Sequence, residues 1–154
     1  MMSSRERPRG WVRCLALGAA ALGAAAAAPT PGRAETCLSP YVKRLDRPEK
    51  FLYVLCVDAD ARDNDFVAVI DVDPDSPTYG TKTFTLDLGS KGNETHHWGY
   101  TDDRTRIWAG GLFSSRIWII DVASDPAKPR IEKILNDVPK VTGLTGPHTY
   151  YALP

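Results

Sequence analysis

The sequence predicts an all-β fold made of repeated sheets, namely about the first two blades of a β-propeller. Two apolar, β-rich runs each end in the tripeptide Ile-Asp-Val, at residues 70–72 and again at residues 120–122, and each run then enters a Pro-containing turn. A repeat of about 50 residues that consists of several short strands is the period of a propeller blade.

Further apolar segments flank both runs and fit short strands. Upstream lie residues 51–56 and 106–112, and downstream lie residues 82–86 and 130–135. Residues 146–154 follow as a turn that enters another strand. Because a propeller needs about 4 to 8 blades to close, we expect this chain to be the N-terminal portion of a longer protein.

Residues 1–34 carry the pattern of a secretory signal peptide. Four arginines precede an apolar run at residues 15–28 that consists almost entirely of Ala, Leu and Gly. Gly32 and Ala34 then supply the small residues that a signal peptidase reads. A transmembrane anchor is the alternative, but the run is shorter than the roughly 20 residues that a bilayer core requires. We therefore expect a periplasmic or secreted protein without a stable membrane anchor after cleavage.

The rest of the chain divides into an arm and the blades. Residues 35–50 are polar and interrupted by proline, which indicates an extended arm, and residues 51–154 hold the first blades of a propeller that is truncated at its C-terminus. Removal of residues 1–34 takes away five of 19 basic and one of 19 acidic residues, which leaves a net charge of −4. A mildly acidic chain without a Lys/Arg cluster argues against nucleic acid as a partner.

Two cysteines remain after the signal. Cys37 lies in the arm, and Cys56 ends the first predicted strand. Two cysteines in an oxidising compartment suggest a disulfide. Bridging requires Cα atoms within about 7 Å, so the pairing of Cys37 with Cys56 stays open. The alternative for Cys56 is a small apolar core residue.

The densest acidic stretch lies at residues 58–65. Its oxygens alternate as in some calcium loops, but the Gly and the terminal Glu of an EF-hand loop are absent. We therefore expect a solvated hairpin loop, since runs of carboxylates usually face water.

All three histidines follow the signal, and they stand at the entry to successive repeats. His96 and His97 precede the strand pair of the second repeat, and His148 precedes the next strand. Strand starts from successive blades meet at one end of the central channel, and converging neutral imidazoles suit copper, zinc or iron. The alternative is a hydrogen-bonding turn element, because the usual metal-site spacings such as Cys-x-x-Cys are absent.

Three motifs, in this order and spacing, give the chain a family resemblance. They are Asp-Val-Asp-Pro-x-Ser-Pro-x-Tyr at residues 71–79, His-His-Trp-Gly at residues 96–99 and Ser-Ser-Arg-Ile at residues 114–117. Residues 37–154 thereby resemble the N-terminal third of the selenium-binding protein family, which includes methanethiol oxidases. The resemblance implies a seven-bladed β-propeller. It also implies a copper-dependent oxidase that converts methanethiol and oxygen to formaldehyde, hydrogen sulfide and hydrogen peroxide.

The resemblance implies roles for four residues. His96, His97 and His148 match histidines of the family and are therefore candidate metal ligands, with copper as the expected metal. Cys56 matches a cysteine that is associated with selenium in animal members, so it is a candidate thiol-reactive, catalytic residue that could also hold selenium.

The chain departs from the family at one point. Many members have His-Thr-x-His-Cys where this chain has Tyr151 and Ala152 in the last two positions, which removes an imidazole and a thiolate.

Three functions are compatible with the sequence, since a fold alone does not imply chemistry. They are an oxidase of a small thiol, a selenium- or metal-binding propeller without oxidase activity, and a periplasmic interaction propeller. We favour the oxidase for the full-length protein and expect the present chain alone to be inactive.

We predict that secretion removes residues 1–34 and leaves Glu35 as the new N-terminus, because Gly32 and Ala34 form the best small-x-small pair after the apolar run. N-terminal sequencing of secreted material tests this prediction. Recovery of an intact Met1 from a membrane fraction would contradict it.

Overall fold

The computed structural model describes residues 39–95 and 97–153, which form two antiparallel β-sheets and one short helix. The first sheet has the strand order β1 (Phe51–Cys56), β2 (Phe66–Asp71) and β3 (Lys82–Asp87). The second sheet has the order β4 (Trp98–Tyr100), β5 (Arg106–Gly110), β6 (Ile117–Asp121) and β7 (Arg130–Leu135). The helix α1 (Val138–Thr142) follows β7. The predicted all-β fold class is confirmed.

The two sheets are copies of one unit, as the sequence repeat predicts. In both, consecutive strands form antiparallel hairpins, so that β1, β2 and β3 correspond to β5, β6 and β7. The pairing register shifts at the same place in each copy, between Val69 and Ile70 of β2 and between Ile119 and Ile120 of β6. Such bulges bend a strand and increase its twist. Each sheet is an antiparallel meander of the kind that forms a propeller blade, whereas the number of blades stays a prediction.

A single apolar core joins the two sheets. Its buried members are Tyr53, Val67, Val69, Leu88, Ile107, Ala109, Trp118, Ile120 and Val122. Most of them alternate along their strands, as expected for residues that share one face of a sheet. Trp118 of β6 is 0% exposed, and its indole N–H donates a hydrogen bond of 3.0 Å to the carbonyl of Leu88, which directly follows β3. The largest core side chain is thus tied to both sheets.

The aspartate of each Ile-Asp-Val tripeptide is buried and closes the turn that follows it. The carboxylate of Asp121 accepts hydrogen bonds from Ser124 Oγ at 2.6 Å, from Arg130 at 2.7 Å and from two backbone N–H groups. Asp71 likewise accepts hydrogen bonds from two hydroxyls and one backbone N–H of its own turn. The pKa of Asp121 lies well below its usual range, mainly because its carboxylate accepts the hydrogen bond from the Ser124 hydroxyl.

The segment before β1 contacts the loop between β4 and β5 and the segment that follows α1. Residues 39–50 contain no helix or strand, and Ser39 and Val42 are buried. Ser39 Oγ donates a hydrogen bond of 2.6 Å to the carbonyl of Ala152, and the N–H of Lys43 donates one of 2.6 Å to the carbonyl of Asp102. The described part of the predicted arm is therefore packed onto the loops of the second sheet.

Some predicted features lie outside the described residues, namely the signal at residues 1–34, Cys37 and His96. Within residues 39–95 and 97–153, the structure contains no helix with the length and hydropathy needed to span a membrane.

We predict that Asp121→Asn lowers the free energy of unfolding by about 2 kcal/mol at pH 7, because an amide cannot accept all the hydrogen bonds of the carboxylate. The pKa of Asp121 is lower in the folded state, so its contribution is present above the unfolded pKa of about 3.9 and is lost as the pH falls further. Urea unfolding of the full-length protein at pH 3 to 7 should show the difference between wild type and variant shrink below about pH 4.

Asp125→Asn is a matched control, since Asp125 is exposed and accepts one local hydrogen bond from the N–H of Ala127. This control should change the unfolding free energy by less than about 0.5 kcal/mol. A difference between wild type and Asp121→Asn that does not depend on pH would contradict the role given to the charged carboxylate.

Candidate functional site

The structure brings two of the three predicted ligands together. The ring centroids of His97 and His148 are 4.1 Å apart, and their planes make an angle of 41°. His97 directly precedes β4, and His148 lies in the irregular segment after α1, where its Nδ1 is 2.9 Å from Thr149 Oγ1. His96 lies outside the described residues. His97 thus stands at the start of the second sheet, and His148 stands in a segment in which no strand is assigned within residues 146–153.

The segment that carries His148 packs directly on the backbone of β4 and β5. A Cβ atom added at Gly99 would overlap the backbone of Tyr150, and one added at Gly110 would overlap the Tyr150 hydroxyl and the Pro147 carbonyl. Only glycine permits so close an approach of two chain segments. The further strand that the sequence predicts after residue 146 is not assigned within residues 146–153.

A buried carboxylate anchors the loop that leads to His97. Asp65 and Asn93 are both 0% exposed. Asp65 Oδ2 accepts two hydrogen bonds of 2.8 Å, from the backbone N–H and the side-chain amide of Asn93, and Oδ1 accepts one of 3.0 Å from the N–H of Asp58. Ser90 Oγ donates a further hydrogen bond of 3.1 Å to Asn93 Oδ1. The first sheet thus holds the loop that enters the second sheet.

This burial corrects part of the sequence prediction for residues 58–65. A solvated hairpin loop is observed at residues 58–64, but Asp65 at its end is buried and fully engaged. The charge is tolerated in the interior because hydrogen bonds satisfy both of its oxygens.

The hairpin between β5 and β6 holds the same loop from the other side. The carbonyls of Asn93 and Glu94 accept hydrogen bonds of 3.2 and 3.3 Å from the N–H groups of Phe113 and Leu112. Glu94 adopts a left-handed conformation with φ of 56°. A non-glycine residue in this region is strained and persists only where its surroundings determine its geometry. The backbone at Asn93 and Glu94 is therefore held by contacts from both sheets.

Cys56 lies at the same end of the sheets as the histidine pair. Cys56 and Phe66 form the last pair of the β1–β2 hairpin, as Gly110 and Ile117 do in the β5–β6 hairpin. The thiol is half-buried, and its Sγ is 3.6 Å from the carbonyl oxygen of Val54. Cys56 forms no disulfide within the described ranges. Cys37 lies outside the described residues, so its pairing with Cys56 stays open.

His97 and His148 are donors of the kind that a soft or borderline transition metal binds, and they would supply two of its ligands. The ring centroids are 4.1 Å apart, and imidazole suits copper, zinc and iron at nitrogen–metal distances of about 2.0–2.1 Å. No group of three or more His, Cys, Asp or Glu side chains that could hold a metal occurs in residues 39–95 and 97–153. A complete site therefore needs at least one further ligand, for which His96 is the candidate within this chain.

The sequence interpretation missed several residues that shape this site. They are Asp65, Gly99, Asn93, Gly110 and Tyr150. A glycine inside a strand often marks a close approach of another segment, so Gly99 and Gly110 carried a usable signal. Burial raises the pKa of Tyr150 to about 12, and the sequence does not distinguish Tyr150 from its neighbour Tyr151, which is exposed.

The sequence model described as 56kDa selenium binding protein (SBP56) matches residues 33–154. The chain belongs to this family. The match covers all the described residues, so both sheets and the histidine pair lie within it. The resemblance noted from the sequence motifs is confirmed.

Named relatives agree with this membership. The methanethiol oxidase of Ruegeria pomeroyi is 41% identical over 146 residues, which cover 91% of this chain and 32% of that protein. The methanethiol oxidase of Hyphomicrobium sp is 43% identical over 123 residues, which cover 78% of this chain and 28% of that protein. The chain thus spans about a third or less of the length of these relatives.

A solved structure supports the fold. The X-ray structure of a hypothetical selenium-binding protein from Sulfolobus tokodaii superposes with a TM-score of 0.59 at 33% identity. The superposition covers 65% of this chain and 26% of that chain. The two-sheet arrangement is therefore that of a selenium-binding protein.

We predict that Asp65→Ala loosens the loop before His97 and costs about 3 kcal/mol of unfolding free energy, because it removes three hydrogen bonds and leaves Asn93 buried without its acceptor. Hydrogen exchange of the full-length protein should show faster exchange at the amides of Asn93 and Phe113. Asp60→Ala, at an exposed position in the same hairpin, should leave these rates unchanged. Equal exchange in wild type and Asp65→Ala would contradict the anchoring role.

Proposed function

We propose that the full-length protein is a copper-dependent oxidase of a small thiol, with methanethiol as substrate. The observation that carries the proposal is the contact between His97 and His148, whose ring centroids are 4.1 Å apart. It occurs in a chain whose relatives at 41% and 43% identity are named methanethiol oxidases. Methanethiol, oxygen and water would give formaldehyde, hydrogen sulfide and hydrogen peroxide, which balances all atoms. The signal pattern at residues 1–34 supports a periplasmic or secreted site of action.

His97 and His148 would bind the metal through neutral ring nitrogens. Thr149 Oγ1 lies 2.9 Å from Nδ1 of His148, so we assign Nε2 as the nitrogen that faces the ion. Protons compete with the metal for these nitrogens, so metal affinity falls as the pH is lowered. Copper, when bound, would accept electrons from the thiol and pass them to oxygen, and a soft thiolate suits Cu(I).

The protein frame holds the two imidazoles before any ion arrives. The Asp65 and Asn93 hydrogen bonds fix the loop before His97, and the contacts at Gly99 and Gly110 fix the segment of His148. A site whose ligands are already in position loses less conformational entropy on binding.

Cys56 supports a second candidate function, the binding of selenium or another soft species without oxidase activity. Its thiol is half-buried and forms no disulfide within the described residues, and it lies at the same end of the sheets as the histidines. A thiolate there would be a soft ligand or a nucleophile. The two functions differ in whether the histidines or the cysteine is required.

We predict that His97→Ala and His148→Ala in the full-length protein each lower the copper content and the rate of methanethiol oxidation at least about tenfold, because even the loss of a residue that only orients a ligand typically costs that much in metal affinity or activity. Metal analysis and a peroxide assay measure the two quantities. Cys56→Ser should keep the copper content of wild type, as should Lys91→Ala, a control at an exposed residue near the loop.

Full copper content in both histidine variants would mean that the histidines are structural turn elements, and the oxidase proposal would lose its support. Loss of selenium binding in Cys56→Ser, in a protein that shows no thiol oxidation, would favour the second function.

A further inference from the structure

We propose that Tyr150 is a positioning residue for the histidine pair. The Tyr150 side chain lies in a groove on β4 and β5. We call it the glycine groove and define it as the surface left open by Gly99 and Gly110. The inference rests on the proposed role of His97 and His148 as ligands, and it adds the residue that sets their separation.

The side chain of Tyr150 lies along the whole groove. A Cβ atom at Gly99 would meet the Tyr150 Cβ at 2.9 Å, and one at Gly110 would meet ring atom Cε2 at 3.0 Å and overlap the hydroxyl. The ring centroid of Trp108 lies 6.2 Å from that of Tyr150 at an angle of 48°, within the range of favourable aromatic pairs. The side chain therefore crosses from β4 to β5 in contact with both backbones.

This contact joins the two histidines. Tyr150 lies two residues after His148 on the same segment. The β4–β5 register pairs Trp98 with Ala109, and His97 and Gly110 each lie one residue beyond this pair at the same end of the two strands. One end of the Tyr150 side chain is thus attached to the segment of His148, and the other end lies against Gly110, at the end of the strand pair where His97 stands.

Hydrogen bonds fix this segment near both of its ends. The N–H of Gly146 donates one of 3.1 Å to Ser115 Oγ, and the carbonyl of Ala152 accepts one of 2.6 Å from Ser39 Oγ. Between these points the segment contains no assigned strand within the described residues. The packing of the Tyr150 side chain in the glycine groove therefore sets the distance between His148 and His97.

The ring, and not the hydroxyl, does the positioning. The Tyr150 hydroxyl oxygen is buried and has no hydrogen-bond partner within residues 39–95 and 97–153. A buried hydroxyl without a partner destabilises the folded state. Replacement by phenylalanine should therefore keep the geometry of the histidine pair, whereas loss of the ring or obstruction of the groove should change it.

The test compares four variants of the full-length protein: Tyr150→Phe, Tyr150→Ala, Gly110→Ala and Tyr53→Ala. One readout is the nuclear Overhauser effect between the ring protons of His97 and His148 in the metal-free protein with 13C-labelled histidine. The other is the affinity for Cu²⁺ from titration against a competing chelator. Tyr53→Ala controls for loss of stability, since Tyr53 is a buried core tyrosine whose hydroxyl bonds the Pro126 carbonyl instead.

Tyr150→Phe should keep the imidazole contact and bind Cu²⁺ within about twofold of wild type, whereas Tyr150→Ala and Gly110→Ala should lose the contact and bind Cu²⁺ at least about tenfold more weakly, as for other residues that orient ligands. Tyr53→Ala should lower the melting temperature and keep the contact. If Tyr150→Ala does not fold, Tyr150→Leu takes its place, because it also removes the ring and leaves Gly110 unchanged. Gly110→Ala alone does not isolate Tyr150, since its added Cβ also meets the Pro147 carbonyl.

A retained contact and retained affinity in Gly110→Ala or Tyr150→Ala would overturn the inference, and so would equal losses in Tyr150→Phe and Tyr150→Ala. If wild type shows the contact but binds no Cu²⁺, the proposed function fails, and the contact in the variants alone decides the role of Tyr150.

Discussion

The burial of Trp118 between the two sheets is the constraint on which the rest of the structure depends. An indole N–H in an apolar core requires an acceptor, and the Leu88 carbonyl supplies it at 3.0 Å. Leu88 is the first residue of the connection from β3 to β4, and it is itself 1% exposed. The hydrogen bond that the Trp118 indole needs therefore holds Leu88 in place, and the loop toward His97 begins at Leu88. The packing of the core and the position of the candidate site are thus set by the same contact.

Two kinds of residue position the backbone between Leu88 and the histidine pair. They are buried polar groups, which need hydrogen-bond partners, and glycines, which allow a neighbouring segment to approach closely. The Asp65 carboxylate directs Asn93, and both sheets then hold the strained backbone at Glu94. Gly99 and Gly110 admit the segment of His148. A rigid frame of this kind suits metal chemistry, because ligands held in place by surrounding contacts need little reorganisation when the ion binds.

Much of the fold follows from local sequence patterns. The two Ile-Asp-Val tripeptides predict two equivalent sheets, and even the bulges at Val69 and Ile119 recur at equivalent positions. The proximity of His97 and His148 is predicted from the position of both before expected strands of successive repeats, although no strand is assigned after His148 within residues 149–153. The burial of Asp65 could not be predicted in this way, because a carboxylate is buried only if a partner meets it, and Asn93 lies 28 residues away. The contact of Tyr150 with the glycines likewise depends on tertiary packing.

The central claim is that His97 and His148 form one metal site, and X-ray absorption at the copper edge of the copper-loaded full-length protein tests it most directly. If both histidines bind the copper ion, we expect a nitrogen shell at about 2.0 Å with outer-shell scattering from at least two imidazoles. The number of imidazoles should fall by one in His97→Gln and by one in His148→Gln. An unchanged imidazole count in both variants, or a first shell without nitrogen, would contradict the claim.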